Sequence, residues 1–383
     1  STLRTDGTVA MNKTATGITD SHQGPELSTP SLGHIFYERT LLQPERTTYI
    51  DPMSRLPVTQ LTDYKGHSHH FYFTNSGWYD DGRKLLVSSD RNNRTNLFGI
   101  EMATGEIEQL TDLDPVPLPR EFEFLRASKS WVRDETYFWH DLSLMALDLT
   151  SGQLRTIFEM EPGWSVSMTN CSADGNYVYF GIWEDLSDTI PTDLLRGYVG
   201  FAETWAAKPL SRIVRAAVDG SHFDVVFEER YWIGHVNTSP TQASLLTFCH
   251  EGPWDKVDAR IWGLDADTGK AWKIRPPAEG EAVGHEYWYR DGLRIGYHGR
   301  FPDGRSLLGN VRYDNSEQQE YDFPGQTGHI FSYDESLIVG DGGGVIRVWK
   351  RDGDRYAAPR VLCRHDSAMR IQQTHPHPVI APG

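Results

Sequence analysis

The sequence predicts an all-β fold, a seven-bladed β-propeller behind a poorly structured N-terminal extension. Three observations predict it. Strand-forming runs broken by Asp-Gly or Thr-Gly recur about every 40 to 60 residues, the period of propeller blades. Several of those runs open with histidine. The chain of 383 residues carries no apolar run long enough to span a bilayer.

Residues 1–47 are rich in Ser, Thr, Gly and Pro and lack a sustained period, so they are expected to be an extension of low regular structure. The propeller is expected over 48–383. Thr48 to Thr62 reads as an outer strand in search of a blade. The clearest repeat follows: Asp80-Asp81-Gly82 before Lys84-Leu85-Leu86-Val87, then Asn96 to Ile100, then Ala103-Thr104-Gly105-Glu106 leading into Glu108-Gln109-Leu110-Thr111. Asp-Gly and Thr-Gly supply the positive φ that tight hairpins need, and the flanking Leu, Val, Ile and Phe favour strands. Asp148-Leu149-Thr150-Ser151-Gly152 and Asp265-Ala266-Asp267-Thr268-Gly269 repeat the loop between third and fourth strands. Asp174-Gly175, Asp303-Gly304 and Asp334-Glu335 are expected to repeat the turn between first and second. Units are expected to open near 69, 122, 163, 231, 284 and 328, with a seventh that starts at Gln373 and is incomplete at Gly383.

With 37 Lys and Arg against 53 Asp and Glu, the net charge is −16. That argues against a nucleic-acid groove or an anionic membrane surface, and a polyanionic substrate would need a local basic pocket. Cys171, Cys249 and Cys363 are far apart and odd in number, which fits a reducing compartment and no disulfide framework. With no apolar h-region at the N-terminus, the expected location is cytoplasmic.

The chemistry concentrates in Gln372-Gln373-Thr374-His375-Pro376-His377-Pro378. The prolines keep this stretch extended, so His375 and His377, two residues apart, leave the backbone on the same side. Two neutral imidazoles suit a borderline divalent cation, and the Gln372 amide oxygen would favour Mn²⁺ or Fe²⁺ at least as well as Zn²⁺. The alternative is a pair of solvated loop histidines. First strands also begin with His69 and His70, His235, His285 and His329, and a propeller brings equivalent points of its blades together at one channel. They would then build a metal centre or simply fill the channel.

Trp232-Ile233-Gly234-His235, the run from Cys249 to Trp262, Gly284-His285-Glu286-Tyr287-Trp288, and Gln372 to Pro378 occur in an order that resembles the oligogalacturonate lyases of polysaccharide lyase family 22. Thr62 to His69 extends the likeness toward the N-terminus. The resemblance implies a seven-bladed propeller that binds a divalent metal, most often Mn²⁺, and cleaves short α-1,4-galacturonides by β-elimination. It further implies His285, Gln372, His375 and His377 as metal ligands, His235 as the Brønsted base and Arg212 as a cationic group beside the reacting uronate. His69, His250, Arg260 and His329 are expected to hold substrate, with interblade ion pairing the alternative for Arg260. Trp232, Trp262, Tyr287 and Trp288 would stack a sugar or pack between blades. Glu251 and Glu286 adjoin motif histidines and would orient them. A non-catalytic binding propeller and a lyase for another linkage, such as rhamnose–glucuronate, fit the same repeats.

Overall fold

The computed structural model describes residues 34–116, 124–194, 196–325 and 327–382. Within them the strands form antiparallel sheets of sequence neighbours, the blades of a propeller. From the channel outward, blade 1 contains Ser68–His69, Lys84–Ser89, Asn96–Glu101 and Ile107–Gln109. Blade 2 contains Ser128–Lys129, Glu135–His140, Ser143–Asp148 and Gln153–Glu159. Blade 3 is Trp164–Cys171, Tyr177–Glu184, Leu210–Ala217 and Phe223–Arg230. Blade 4 is Ile233–Thr238, Leu245–His250, Ile261–Asp265 and Lys270–Ile274. Blade 5 is Ala282–Trp288, Arg294–Arg300, Ser306–Arg312 and Gln319–Asp322. Blade 6 is built on Ile330–Phe331, Leu337–Gly340, Val345–Asp352 and Arg360–Arg364.

The described residues therefore form six blades, and the expectation of seven is corrected. Between blade 6 and blade 1 lies an extended stave rather than a sheet. It starts with the 3₁₀ turn Gln372–Thr374, is held where the Tyr333 hydroxyl donates to the Ile380 carbonyl at 2.9 Å, and reaches Pro382 beside Gly82 of blade 1. Pro376, Pro378 and Pro382 each remove a ladder donor from it.

The N-terminal expectation is corrected as well. Thr48 to Thr62 is a separate hairpin, Thr47–Ile50 paired with Pro57–Gln60, and belongs to no blade. The Asp51 carboxylate closes its turn by accepting from the Met53 and Ser54 N–H groups, and it ties the hairpin to blade 6 by accepting from Arg364 N at 2.9 Å. Extra outer strands come instead from within 1–47, where Thr40–Leu42 pairs with Ile107–Gln109 of blade 1 and His34–Phe36 with Gln153 to Arg155 of blade 2. Three-residue strands leave too short a pattern to register as periodicity. The remainder of the expected extension, 1–33, lies outside the described residues, as does the expected unit start at 122.

The predicted turns mostly hold. In the loop from third to fourth strand, Gly105, Gly152 and Gly269 take φ of 81°, 75° and 67°, and each N–H donates to the carbonyl four residues back. A side chain there would be strained in all three blades. Asp174-Gly175 and Asp334-Glu335 join first and second strands as expected. Asp303-Gly304 does not: it joins the second and third strands of blade 5, and Asp291-Gly292 makes the first turn.

Blades pack face to face through apolar clusters. Trp139 and Phe158 of blade 2 meet Phe180 and Phe223 of blade 3 with ring centroids 5.1 Å apart. Tilted and edge-on contacts of this kind add to the burial of each ring. Trp349 of blade 6 is fully buried on Phe323 of the preceding loop, its indole N–H donating to the Pro324 carbonyl at 2.6 Å.

The channel is lined by histidines that burial keeps neutral. His69, His235 and His298 are each pushed down to about 4, in every case chiefly by desolvation. A histidine that binds its proton near 6.5 when unfolded but only near 4 when folded makes the unfolded chain the better proton acceptor in between, so stability falls as pH drops through that window. Buried Glu286 acts oppositely with one proton, since burial raises it to about 7. From these four groups alone, unfolding takes up about two protons near pH 5, each worth roughly 1.4 kcal/mol per pH unit. Denaturant unfolding at pH 7, 6 and 5 is expected to show a falling midpoint. A midpoint unchanged over that range would contradict the neutral channel.

Candidate active site and metal-binding residues

Two cavities occupy opposite ends of the channel. The one of about 220 Å³ is lined by Tyr72, Arg126, Trp232, His235, Glu251, Trp254, Arg260, His285, His329 and Gln372, and holds the cluster of titratable groups. The larger, about 600 Å³, lies at the end of the first-to-second strand turns. It is lined by such residues as Trp131, Tyr287, Trp288 and Arg290, and contains none of the predicted catalytic or metal residues.

His235 and His285 reach the smaller cavity by the same local device. Each follows a glycine in the inner strand of its blade, where the pairing register slips: between Gly234 and Asn237 in blade 4, between Gly284 and Tyr287 in blade 5. Each takes a left-handed conformation, φ 47° and 50°. Such bulges re-aim a side chain that regular pleating would send elsewhere, at a strain of about 1–3 kcal/mol per residue. The glycines are required by close neighbours. A Cβ on Gly234 would lie 2.7 Å from the Glu251 carboxylate, and one on Gly284 2.5 Å from the Trp254 ring.

Around His235, Glu251 is the nearest charge, its Oε2 3.4 Å from His235 Nε2. Burial lowers the His235 pKa, Glu251 works against that, and Arg260 reinforces it. Arg260 is almost fully buried. Its Nη1 donates to Glu251 Oε1 at 2.7 Å, its Nε faces Glu286 Oε2 at 3.9 Å, and that Nε has no hydrogen-bond partner. Burial raises Glu251, but the Arg260 charge and His235 outweigh it and hold the carboxyl below its usual range.

His329 is the hub of the second group. Its ring centroid lies 4.7 Å from that of His285, 4.5 Å from His377 and 6.0 Å from His375. Its Nδ1 donates to Asp341 Oδ2 at 3.2 Å, while Asp341 Oδ1 accepts from the N–H groups of Gly328 and His329. His285 Nδ1 donates to the Gly328 carbonyl at 2.5 Å, which leaves its Nε2 with the lone pair. His377 is buried with Nε2 unpartnered. Its pKa is driven well down by burial and then by neighbouring histidines. The Gln372 amide donates from Nε2 to the Tyr198 hydroxyl at 2.7 Å, so its oxygen is the ligand atom left over.

The predicted ligands thus gather around one ring, His375 and His377 both facing His329. They do not close into one compact sphere. Among the described residues, the set of three or more His, Cys, Asp and Glu side chains whose ligand atoms all come within 4.8 Å of one another is His235, Cys249 and Glu251. The donor set nevertheless fits a divalent ion: lone pairs on His285 and buried His377, an amide oxygen, and a carboxylate behind the hub histidine.

Two predicted residues stand elsewhere. Arg212 does not line the cavity; it lies on the third strand of blade 3, its Nε 2.5 Å from Glu228 Oε2 and its guanidinium over the Trp164 ring. His250 is sandwiched against Tyr231 at 3.7 Å, with Nδ1 on Asp258 at 2.6 Å and Nε2 on Glu229 at 2.7 Å. Neither ring nitrogen is left to take a proton from substrate. His69 donates from Nδ1 to the His70 carbonyl at 3.0 Å and sits near His377, outside the cavity lining. Of the four aromatics, only Trp232 lines this cavity. Trp262 packs on His250, and Tyr287 and Trp288 belong to the other end.

Sequence reasoning missed Arg126 and the blade 3 insertion, with its helix Phe201–Ala207. Leu194, Tyr198 and Phe201 of this insertion cover the cavity, and Arg196 bridges to Ile371. The signal was there: the unit from about 163 to about 231 is longer than its neighbours.

A family model described as oligogalacturonate lyase matches residues 42–359. The oligogalacturonide lyase of Pectobacterium atrosepticum is 25% identical over 363 residues, covering 88% of this chain and 90% of that one. The oligogalacturonate lyase of Dickeya dadantii is 24% identical with the same coverage. A solved oligogalacturonate lyase in complex with manganese superposes with a TM-score of 0.80 at 25% identity, covering 89% of this chain and 91% of that one. One from Vibrio parahaemolyticus reaches 0.80 at 24%, covering 90% and 93%. A match spanning most of the six blades, on a fold that the solved relatives share, means that the chain belongs to the oligogalacturonate lyase family.

Proposed function

We propose that this chain is a metal-dependent lyase that cleaves short α-1,4-linked oligogalacturonides by β-elimination, with His235 as the base. The observation that carries the reading is an imidazole held neutral by burial, aimed by a bulge into a cavity that a buried arginine also lines. The proton on C5 of a galacturonate is α to a carboxylate and too weakly acidic to leave unaided. His235 takes it, the C5–H electron pair becomes the C4–C5 double bond, and the C4–O bond breaks with the departing oxygen taking a proton. Glu251, beside His235, stabilises the imidazolium that forms. General base catalysis of this kind is worth on the order of 10² to 10⁴ in rate.

Arg260 is the cation that this site offers to the substrate carboxylate. Its fork is fixed on one side by Glu251, and an arginine pairs with a carboxylate through two N–H groups at once. His285, Gln372, His375 and His377 would hold the divalent ion, and the manganese of the solved relative supports Mn²⁺. When bound, the ion supplies a Lewis acid that neutralises the uronate carboxylate as charge builds on it. His329 and Asp341 fix the rings around that position. Such a local cationic pocket within a chain of net charge −16 is what an acidic oligosaccharide requires.

The direct test is ultraviolet absorbance of the unsaturated uronate over a panel of oligogalacturonides and rhamnose–glucuronate oligomers. Only the galacturonides are expected to react. In that assay His235→Ala should lose at least about a hundredfold in kcat with little change in substrate affinity, while His250→Ala stays active in proportion to its folded fraction. An active His235→Ala beside a folded, inactive His250→Ala would transfer the role to His250.

Arg260→Ala is expected to lose both kcat and affinity. Arg212→Ala should chiefly lower thermal stability, because its guanidinium covers Trp164 and pairs with Glu228 on the blade 3 surface. The opposite pattern would show that the substrate is held from Arg212.

For the metal, elemental analysis of the parent protein should find one divalent ion per chain, reduced in proteins carrying His285→Ala or His377→Ala that melt cooperatively. Undiminished metal in both would remove these ligands from the assignment.

A further inference from the structure

We infer that His235, Cys249 and Glu251 form a second metal site, selective for a thiophilic cation such as Zn²⁺, and that filling it switches the lyase off. The inhibitory half rests on the reading of His235 as base; the site itself does not. His235 Nε2 lies 3.4 Å from Glu251 Oε2, Cys249 Sγ lies 3.6 Å from the same oxygen, and the three ligand atoms are all within 4.8 Å of one another. With zinc bonds of about 2.0–2.1 Å to nitrogen and oxygen and about 2.3 Å to sulfur, a tetrahedron has edges of roughly 3.3 to 3.6 Å. Two edges therefore stand ready, and the third, from His235 to Cys249, is within 4.8 Å.

The convergence follows from the strand. Cys249 and Glu251 flank His250, and alternation sends them to the channel side while His250 turns outward to Glu229 and Asp258. Cys249 pairs with Gly234, whose missing side chain lets both ligands approach: a Cβ there would meet Cys249 Sγ at 3.3 Å as well as Glu251. Arg260 engages Oε1 of Glu251 and leaves Oε2 on the thiol side. On binding, the Cys249 thiol gives its proton to solvent, the Zn–S bond forms, and the thiolate offsets part of the charge that Arg260 would oppose. No electron is transferred. The His235 lone pair is then held by the metal and cannot accept the C5 proton.

Sulfur sets the selectivity. Thiolate with imidazole prefers zinc, whereas the imidazole and amide-oxygen group around His329 suits manganese, so the two places are separated by ligand chemistry.

The test uses Co²⁺ as a probe on the metal-stripped full chain. The parent protein is expected to show a thiolate-to-cobalt charge-transfer band that is absent from Cys249→Ser and Cys249→Ala, both checked for a cooperative melt. Zn²⁺, titrated against a coloured chelator, should bind Cys249→Ser at least about tenfold more weakly at the corresponding step. With Mn²⁺ in excess, Zn²⁺ should inhibit the parent lyase at concentrations about tenfold or more below those needed for Cys249→Ser. No band in the folded parent, or a band that survives in both variants and so comes from Cys171 or Cys363, overturns the site. A band in the parent without zinc inhibition leaves the site standing and removes His235 as the base.

Discussion

The arrangement depends on one carboxylate. Asp341, buried in blade 6, accepts from the backbone of Gly328 and His329 and from the His329 ring, and so fixes that ring against three other histidines. Burial works against the charge on Asp341, yet these donors hold its carboxyl below the usual range. A negative charge set behind one imidazole gives its free nitrogen a fixed direction. Without it, the histidines of blades 5 and 6 and of the C-terminal stave would share a channel but no common focus.

Much of this was legible in the sequence, and for a physical reason. Thr-Gly and Asp-Gly turns must recur where strands must reverse, so the blade period is written in residues that only turns demand. Histidines at the start of first strands are legible too, because a propeller maps equivalent positions onto one axis. The glycine before His235 and the glycine before His285 are the same signal twice. The blade count was not legible: Gln373 to Pro382 opens like the other units, but Pro376, Pro378 and Pro382 keep it an unpaired stave. Nor were the outer strands at 34–36 and 40–42, which become strands only because finished blades offer them an edge.

Arginines show where sequence reasoning stops. Arg260 stands inside a family-like motif and Arg212 outside every one of them, yet the resemblance pointed to Arg212 as the cationic group. The fold decides by burial. Arg260, almost fully buried, has its charge matched by Glu251, while Arg212 finds the more exposed Glu228. Removing a guanidinium from water is tolerated where carboxylates surround it, and the pair of glutamates beside the motif histidines was the clue.

The N-terminal strands carry a consequence for how the ring assembles. The earlier strand lies on blade 2 and the later one on blade 1, so the three residues between them must cross the seam on the outside. Arg39 rivets that crossing, donating to Glu108 of blade 1 at 3.0 Å and to the Leu149 carbonyl in blade 2 at 2.6 Å. Neither edge exists until strands far along the chain have paired. The segment that precedes both blades in the chain is therefore the one that docks late, a strap buckled over the seam after both blades are in place, and loop-closure entropy assigns it that order.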